Sequence, residues 1–131
     1  MSYYKNKIIL IGPYVGDFAY EIMWFKPFLD WFDLNFNPRD IFVSTHYNRI
    51  FLYSRYKTIP ILRQYTNDEK GQEKHLHEKI TAKDFQILKK IIIEDIVSIS
   101  DYDKRDIVSF DLGYSSSPNK VSTQKIFKQT N

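Results

Sequence analysis

Cysteine is absent from the 131 residues, which removes disulfides, thiol nucleophiles and cysteine-ligated zinc or iron–sulfur centres from consideration. A reducing cytoplasm is compatible with that absence. Long apolar runs are missing too, because Glu21, Lys26 and Asp30 interrupt the most hydrophobic region before it reaches the length of a bilayer span. Lys5 and Lys7 ahead of the run Ile8–Ile11 imitate a secretory signal, but that run is too short and no small-residue cleavage site follows it. The expectation is a cytoplasmic chain with no membrane span. Blocks of like charge are also lacking, with 19 Lys and Arg set among 16 Asp and Glu. A net charge of +3 admits an anionic ligand without demanding nucleic acid. Nucleic-acid binding would need a clustered basic patch with stacking aromatics, whereas Lys79, Lys83, Lys89 and Lys90 are dispersed among acids. No nucleic-acid partner is expected.

What the chain does have is apolar and aromatic mass. Hydrophobic residues make up 43% and aromatics 17%, enough to exclude disorder over most of the length and to build one domain with its own core. Residues 7–11 (KIILI) form a short apolar run between charge and glycine, as expected of a central parallel strand covered on both faces. From Asp17 onward Phe18, Ile22, Phe25, Leu29 and Phe32 recur at helical spacing, with Trp24, Phe28 and Trp31 as a second stripe beside them. Pro27 removes a donor in the middle of that helix and predicts a kink. Residues 40–45 (DIFVST) predict a second strand, 49–56 a short helix, and 59–62 an edge strand that tolerates Pro60. A polar stretch at 66–79 predicts an exposed loop. Thr81 with Asp84 resembles a capping box opening a helix whose apolar face is Phe85, Leu88, Ile92, Ile96 and Ile99. Residues 106–113 predict a last strand, and 119–131 a frayed tail. Alternating strands and helices imply an α/β, Rossmann-like three-layer domain with a mainly parallel sheet. Ligands of such sheets bind where the strands end, and both Asp17 and His46 follow strand ends.

Gly12, Pro13 and Gly16 form a tight turn between the first strand and the helix. The spacing matches neither G-x-G-x-x-G nor the P-loop, and no Lys-Ser or Lys-Thr pair closes the turn. A dinucleotide or ATP site at this turn is therefore disfavoured. Asp17 suits a helix cap, which is the commonest role of an acid in that place. Glu21 lies one turn later on the same side and can bind hydroxyls or pair with a cation such as Arg49. His46 and Arg49, beyond the second strand, can reach the same crevice, an imidazole for a hydroxyl and a guanidinium for a phosphate.

The stretch from Ile8 to Leu29, continued by residues 40–56, resembles the start of a GT-B glycosyltransferase of the heptosyltransferase type. It is closer still to bacterial sugar-transferase-like sequences in which a strand runs into G-P-x-x-G-[DE]-F-x-x-E-[LI]. Gly12, Pro13, Gly16, Asp17, Phe18, Glu21 and Ile22 fall on that pattern, and the similarity covers about the first 56 residues. The resemblance implies a bacterial or phage source and metal-independent inverting transfer. Asp17 would then be the general base, taking the proton of an acceptor hydroxyl that attacks the anomeric carbon of a nucleotide sugar. Gly12, Pro13, Gly16, Glu21, His46 and Arg49 would line the acceptor side. A carboxylate base needs desolvation to raise its pKa. Tyr14, Phe18 and Tyr20 offer an apolar wall, while the positive end of the helix opposes it.

In that family the donor is held mostly by a second Rossmann-like domain. The expectation is accordingly an acceptor-binding half, inactive alone, that recognises a sugar or glycan and works with a second Rossmann-like domain or polypeptide. The nucleotide sugar would be a donor substrate, and no cofactor is expected. The alternative is a non-catalytic α/β module for a partner protein or a small polar ligand. His75 and His77 beside Glu78 lack the rigid frame and further ligands that zinc requires, so no metal is expected. No Ser-His-acid arrangement or Gly-x-Ser-x-Gly turn supports a hydrolase.

Overall fold

The computed structural model describes residues 2–62, 67, 69–70 and 80–110. Four strands form one all-parallel sheet: β1 (Ile8–Ile11), β2 (Asp40–Val43), β3 (Lys57–Thr58) and β4 (Ile107–Phe110), in the order β3-β2-β1-β4. The strand β1 is central. Its Ile8 stands level with Asp40 on one side and Ile107 on the other, and all four of its residues are buried.

Side chains alternate across a strand, and β1 divides its residues accordingly. Ile9 and Ile11 join Ile41 and Val43 under Phe25, Phe28, Leu29 and Phe32 on one face. Ile8 and Leu10 join Phe42 under Phe85, Leu88, Ile92 and Ile96 on the other. The result is the expected three-layer α/β arrangement, Rossmann-like in its parallel order. A short helix α1 (Ser2–Lys5) adds Tyr4 to the first face, edge-on to Phe32 and Phe36.

The region expected as one kinked helix is three segments: α2 (Phe18–Tyr20), a π-helical turn (Glu21–Phe25) and α3 (Lys26–Phe36). Pro27 lies in the first turn of α3, in a run that is already helical ahead of it. The wide turn lies just ahead of it, with the Lys26 amide reaching back five residues to the Glu21 carbonyl. One extra residue in a turn rotates everything upstream relative to the core. Phe18 and Ile22, expected in the core, are instead 43% and 46% exposed, while Glu21 turns inward and is 0% exposed. Phe28, from the second stripe, is also at 0%. Asn37, in the left-handed conformation at φ 43°, ends α3 and returns its amide to the Asp33 carbonyl.

The remaining elements differ mainly at their boundaries. The edge strand β3 begins at Lys57, ahead of the expected 59, yet pairing continues past Pro60. The Ile59 amide donates to Val43 and the Ile61 amide to Thr45, so the alternate position, Pro60, needs no donor toward the sheet. A 3₁₀ helix, Tyr47–Tyr53, replaces the short helix expected at 49–56. The helix α4 (Ala82–Ile99) starts as expected, the Thr81 hydroxyl accepting from the Asp84 amide at 3.1 Å. Ile99, at its last residue, is exposed rather than packed. The expected loop at 66–79, apart from Asn67, Glu69 and Lys70, lies outside the described residues. So do His75, His77 and Glu78, the continuation of β4 to 113 and the tail 119–131. Among the described residues, no helix is long and apolar enough to cross a membrane.

Candidate functional site

The carboxyl ends of β1 and β2 lie side by side, so the turns that follow them meet. After β1 the chain enters Gly12 at φ 114°, a conformation that L side chains rarely adopt, and a Cβ there would collide with the Ser44 carbonyl at the end of β2. The Gly12–Pro13 peptide bond is cis. The Tyr14 amide donates to that same Ser44 carbonyl at 2.8 Å, and the Gly12 amide donates to Phe110 at 3.2 Å. Three strands are thereby tied to one turn. Gly16 leaves room for the Tyr14 ring, whose hydroxyl donates at 2.7 Å to the Asp17 carbonyl. Residues 12–16 are all buried.

Asp17 emerges from this turn half-buried, in extended conformation, as the cap of α2. Its Oδ1 accepts from the Tyr20 amide at 2.8 Å, and among the described residues its Oδ2 has no hydrogen-bond partner. Glu21 points the opposite way, into the protein. Its Oε1 accepts from Arg49 Nη1 at 2.9 Å, and its Oε2 accepts from the Thr45 hydroxyl at 2.7 Å and from the Tyr53 hydroxyl. Burial pushes the Glu21 carboxyl up from its ordinary value, against the pull of the bonds from Tyr53, Thr45 and Arg49. Burial, and then the charge of Glu21, raise the Tyr53 phenol so that it stays a donor.

Arg49 is 5% exposed and serves two masters, since Nη1 also donates to the Gly16 carbonyl at 3.0 Å. Its guanidinium lies 5.5 Å from the centre of the Phe18 ring. His46 is 1% exposed. Its carbonyl accepts the Arg49 amide at 2.9 Å, and its backbone bridges to Ile61. The sequence-predicted residues Gly12, Pro13, Gly16, Asp17, Glu21, His46 and Arg49 thus meet at one end of the sheet. Asp17 alone among them reaches the surface, and the others lie beneath it. Thr45 and Tyr53 escaped the sequence analysis. Only Tyr53, four residues after Arg49, carried any signal, and its place opposite Glu21 depends on a fold contact 32 residues apart.

Chemically, the arrangement offers one anchored carboxylate with an open oxygen, set on a turn held rigid by a buried ion pair. Among the described residues no group of three or more His, Asp or Glu side chains could hold a metal ion. No protein-family model matches the chain, and no curated protein or solved structure matches it significantly.

Proposed function

We propose that this chain is the acceptor-binding part of a sugar transferase, passing a sugar from a nucleotide-activated donor to a hydroxyl acceptor with Asp17 as general base. The observation that carries the proposal is the Asp17 carboxylate itself. One oxygen is fixed by the Tyr20 amide and the other is open, at the strand end where ligands of parallel sheets bind. A base must be held in orientation yet keep a lone pair for the incoming proton, and this carboxylate meets both conditions. Glu21 and Arg49 then act beneath it, holding the Gly16–Asp17 peptide. The donor would be supplied by a second Rossmann-like domain. Proton transfer to Asp17 would accompany attack on the anomeric carbon, as its bond to the phosphate oxygen breaks and the nucleotide leaves with that electron pair.

The burial of Glu21, His46 and Arg49 favours a second reading, a non-catalytic module that keeps the same scaffold. One experiment separates the two. The chain, joined by a donor-binding partner recovered by copurification, is assayed with nucleotide sugars and a glycan panel. Asp17→Asn should lower turnover at least about 100-fold, the scale of general-base catalysis, with acceptor affinity nearly unchanged. Unaltered turnover would remove Asp17 as base, and glycan binding without any transfer would favour the module.

A further inference from the structure

The amino ends of the strands, opposite the Asp17 turn, carry a second, independent feature. Where β2 and β3 begin, a cavity of about 260 Å³ opens, lined by Asp33, Arg39, Asp40, Arg55, Tyr56 and Lys57 among others. Three cations face two carboxylates there. Asp40 is already committed, taking Lys57 and the Tyr102 hydroxyl on Oδ2 and the Ile41 amide on Oδ1. Asp33 approaches Arg55 only at 4.0 Å, and that guanidinium is 73% exposed. Arg39 has no acidic partner among the described residues. Its guanidinium lies 4.9 Å from the centre of the Tyr102 ring, and Lys57 lies 6.0 Å from the same centre. A ring face orients a cation but does not cancel its charge.

Two planar guanidinium groups and an ammonium around one small concavity form a donor set suited to a tetrahedral oxyanion, since arginine offers paired N–H groups that match two phosphate oxygens. Tyr56 and Ile41 supply an apolar wall, and Asp33 an acceptor for a hydroxyl. We infer that this cleft binds a phosphate group, free or as the monoester of a small polyol, between Arg39, Arg55 and Lys57. The site lies at the amino ends of the strands and is separate from the Asp17 turn, so the inference stands whether or not the chain takes part in sugar transfer.

The test is an amide chemical-shift titration of the intact chain with inorganic phosphate and, separately, glucose 6-phosphate, against sodium chloride of equal ionic strength. Saturable shifts are expected at residues 39–41 and 55–57 with both phosphates and not with chloride. A tighter midpoint for the sugar phosphate would identify a monoester site, and equal midpoints a free-phosphate site. Arg39→Ala and Arg55→Ala, at exposed positions where the fold tolerates change, should each weaken binding about tenfold, the scale of a charge-assisted hydrogen bond. Asp33→Asn, which removes a competing carboxylate, should tighten binding of inorganic phosphate about threefold. Shifts that fail to saturate, that chloride reproduces, or that survive Arg39→Ala unchanged would overturn the inference.

Discussion

A carboxylate with no exposed surface must be held by donors or give up its charge, and Glu21 is held by three: Arg49, Thr45 and Tyr53. Truncating one partner of such a group leaves the other buried and unmatched. Arg49→Met should therefore destabilise the fold by about 3–5 kcal/mol, and Tyr53→Phe by about 1–2 kcal/mol, both measured by urea unfolding. A loss below about 1 kcal/mol for Arg49→Met would mean that the pair is solvated after all. Asp40 behaves differently because it sits nearer the surface. Burial works to raise its pKa, but bonds from Lys57, Tyr102 and the Ile41 amide outweigh that and hold it below 3.8. A depressed carboxyl contributes stability above its unfolded value, and that contribution is lost as pH falls through the folded one. Urea midpoints taken from about pH 5 down to about pH 2 should fall more steeply in the wild type than in Asp40→Asn. Parallel curves would show that the three bonds have no net effect.

At the scale of elements, the instructive case is the stretch from Asp17 to Phe36. Apolar spacing located it and identified its tendency to be helical, and Pro27 marked where regularity would fail. Spacing could not say which residues face inward, because that depends on the π turn at Glu21–Phe25. A regular helix would bury Phe18 and Ile22, whereas the observed turn exposes them and buries Phe28. Phe28→Ala should cost about 3–5 kcal/mol, while Phe18→Ala and Ile22→Ala should each cost less than about 1 kcal/mol. Equal costs at all three positions would refute the rotated phase. By contrast, α4 was legible almost whole. Thr81 marks its start, and Phe85, Leu88, Ile92 and Ile96 keep an uninterrupted period with no proline or buried charge to shift it.

For the whole molecule, stability should be graded outward from β1. This strand has neighbours on both edges and a packed layer on each face, so its amides open only with global unfolding. Hydrogen exchange should be slowest at Ile9–Ile11 and Ile41–Val43 and faster in β3, which is two residues long and lies at the edge. Fast exchange in β1 would be incompatible with a single cooperative core. Local patterning was enough to determine the α/β class, the buried parallel strands at 8–11 and 40–43, and the capped helix after Thr81, since alternation and helical period are properties of neighbouring residues. It also pointed to the strand ends as the place where Asp17, Glu21, His46 and Arg49 would gather. The pairing of Glu21 with Arg49 was among the options the sequence offered and is the one the fold adopts. Tertiary structure alone decided that this pair is buried with Thr45 and Tyr53, that His46 is buried, and that Asp17 stays at the rim. The physical reason is that a carboxylate turns inward only where a distant cation and hydroxyls await it, and no local period records such a meeting.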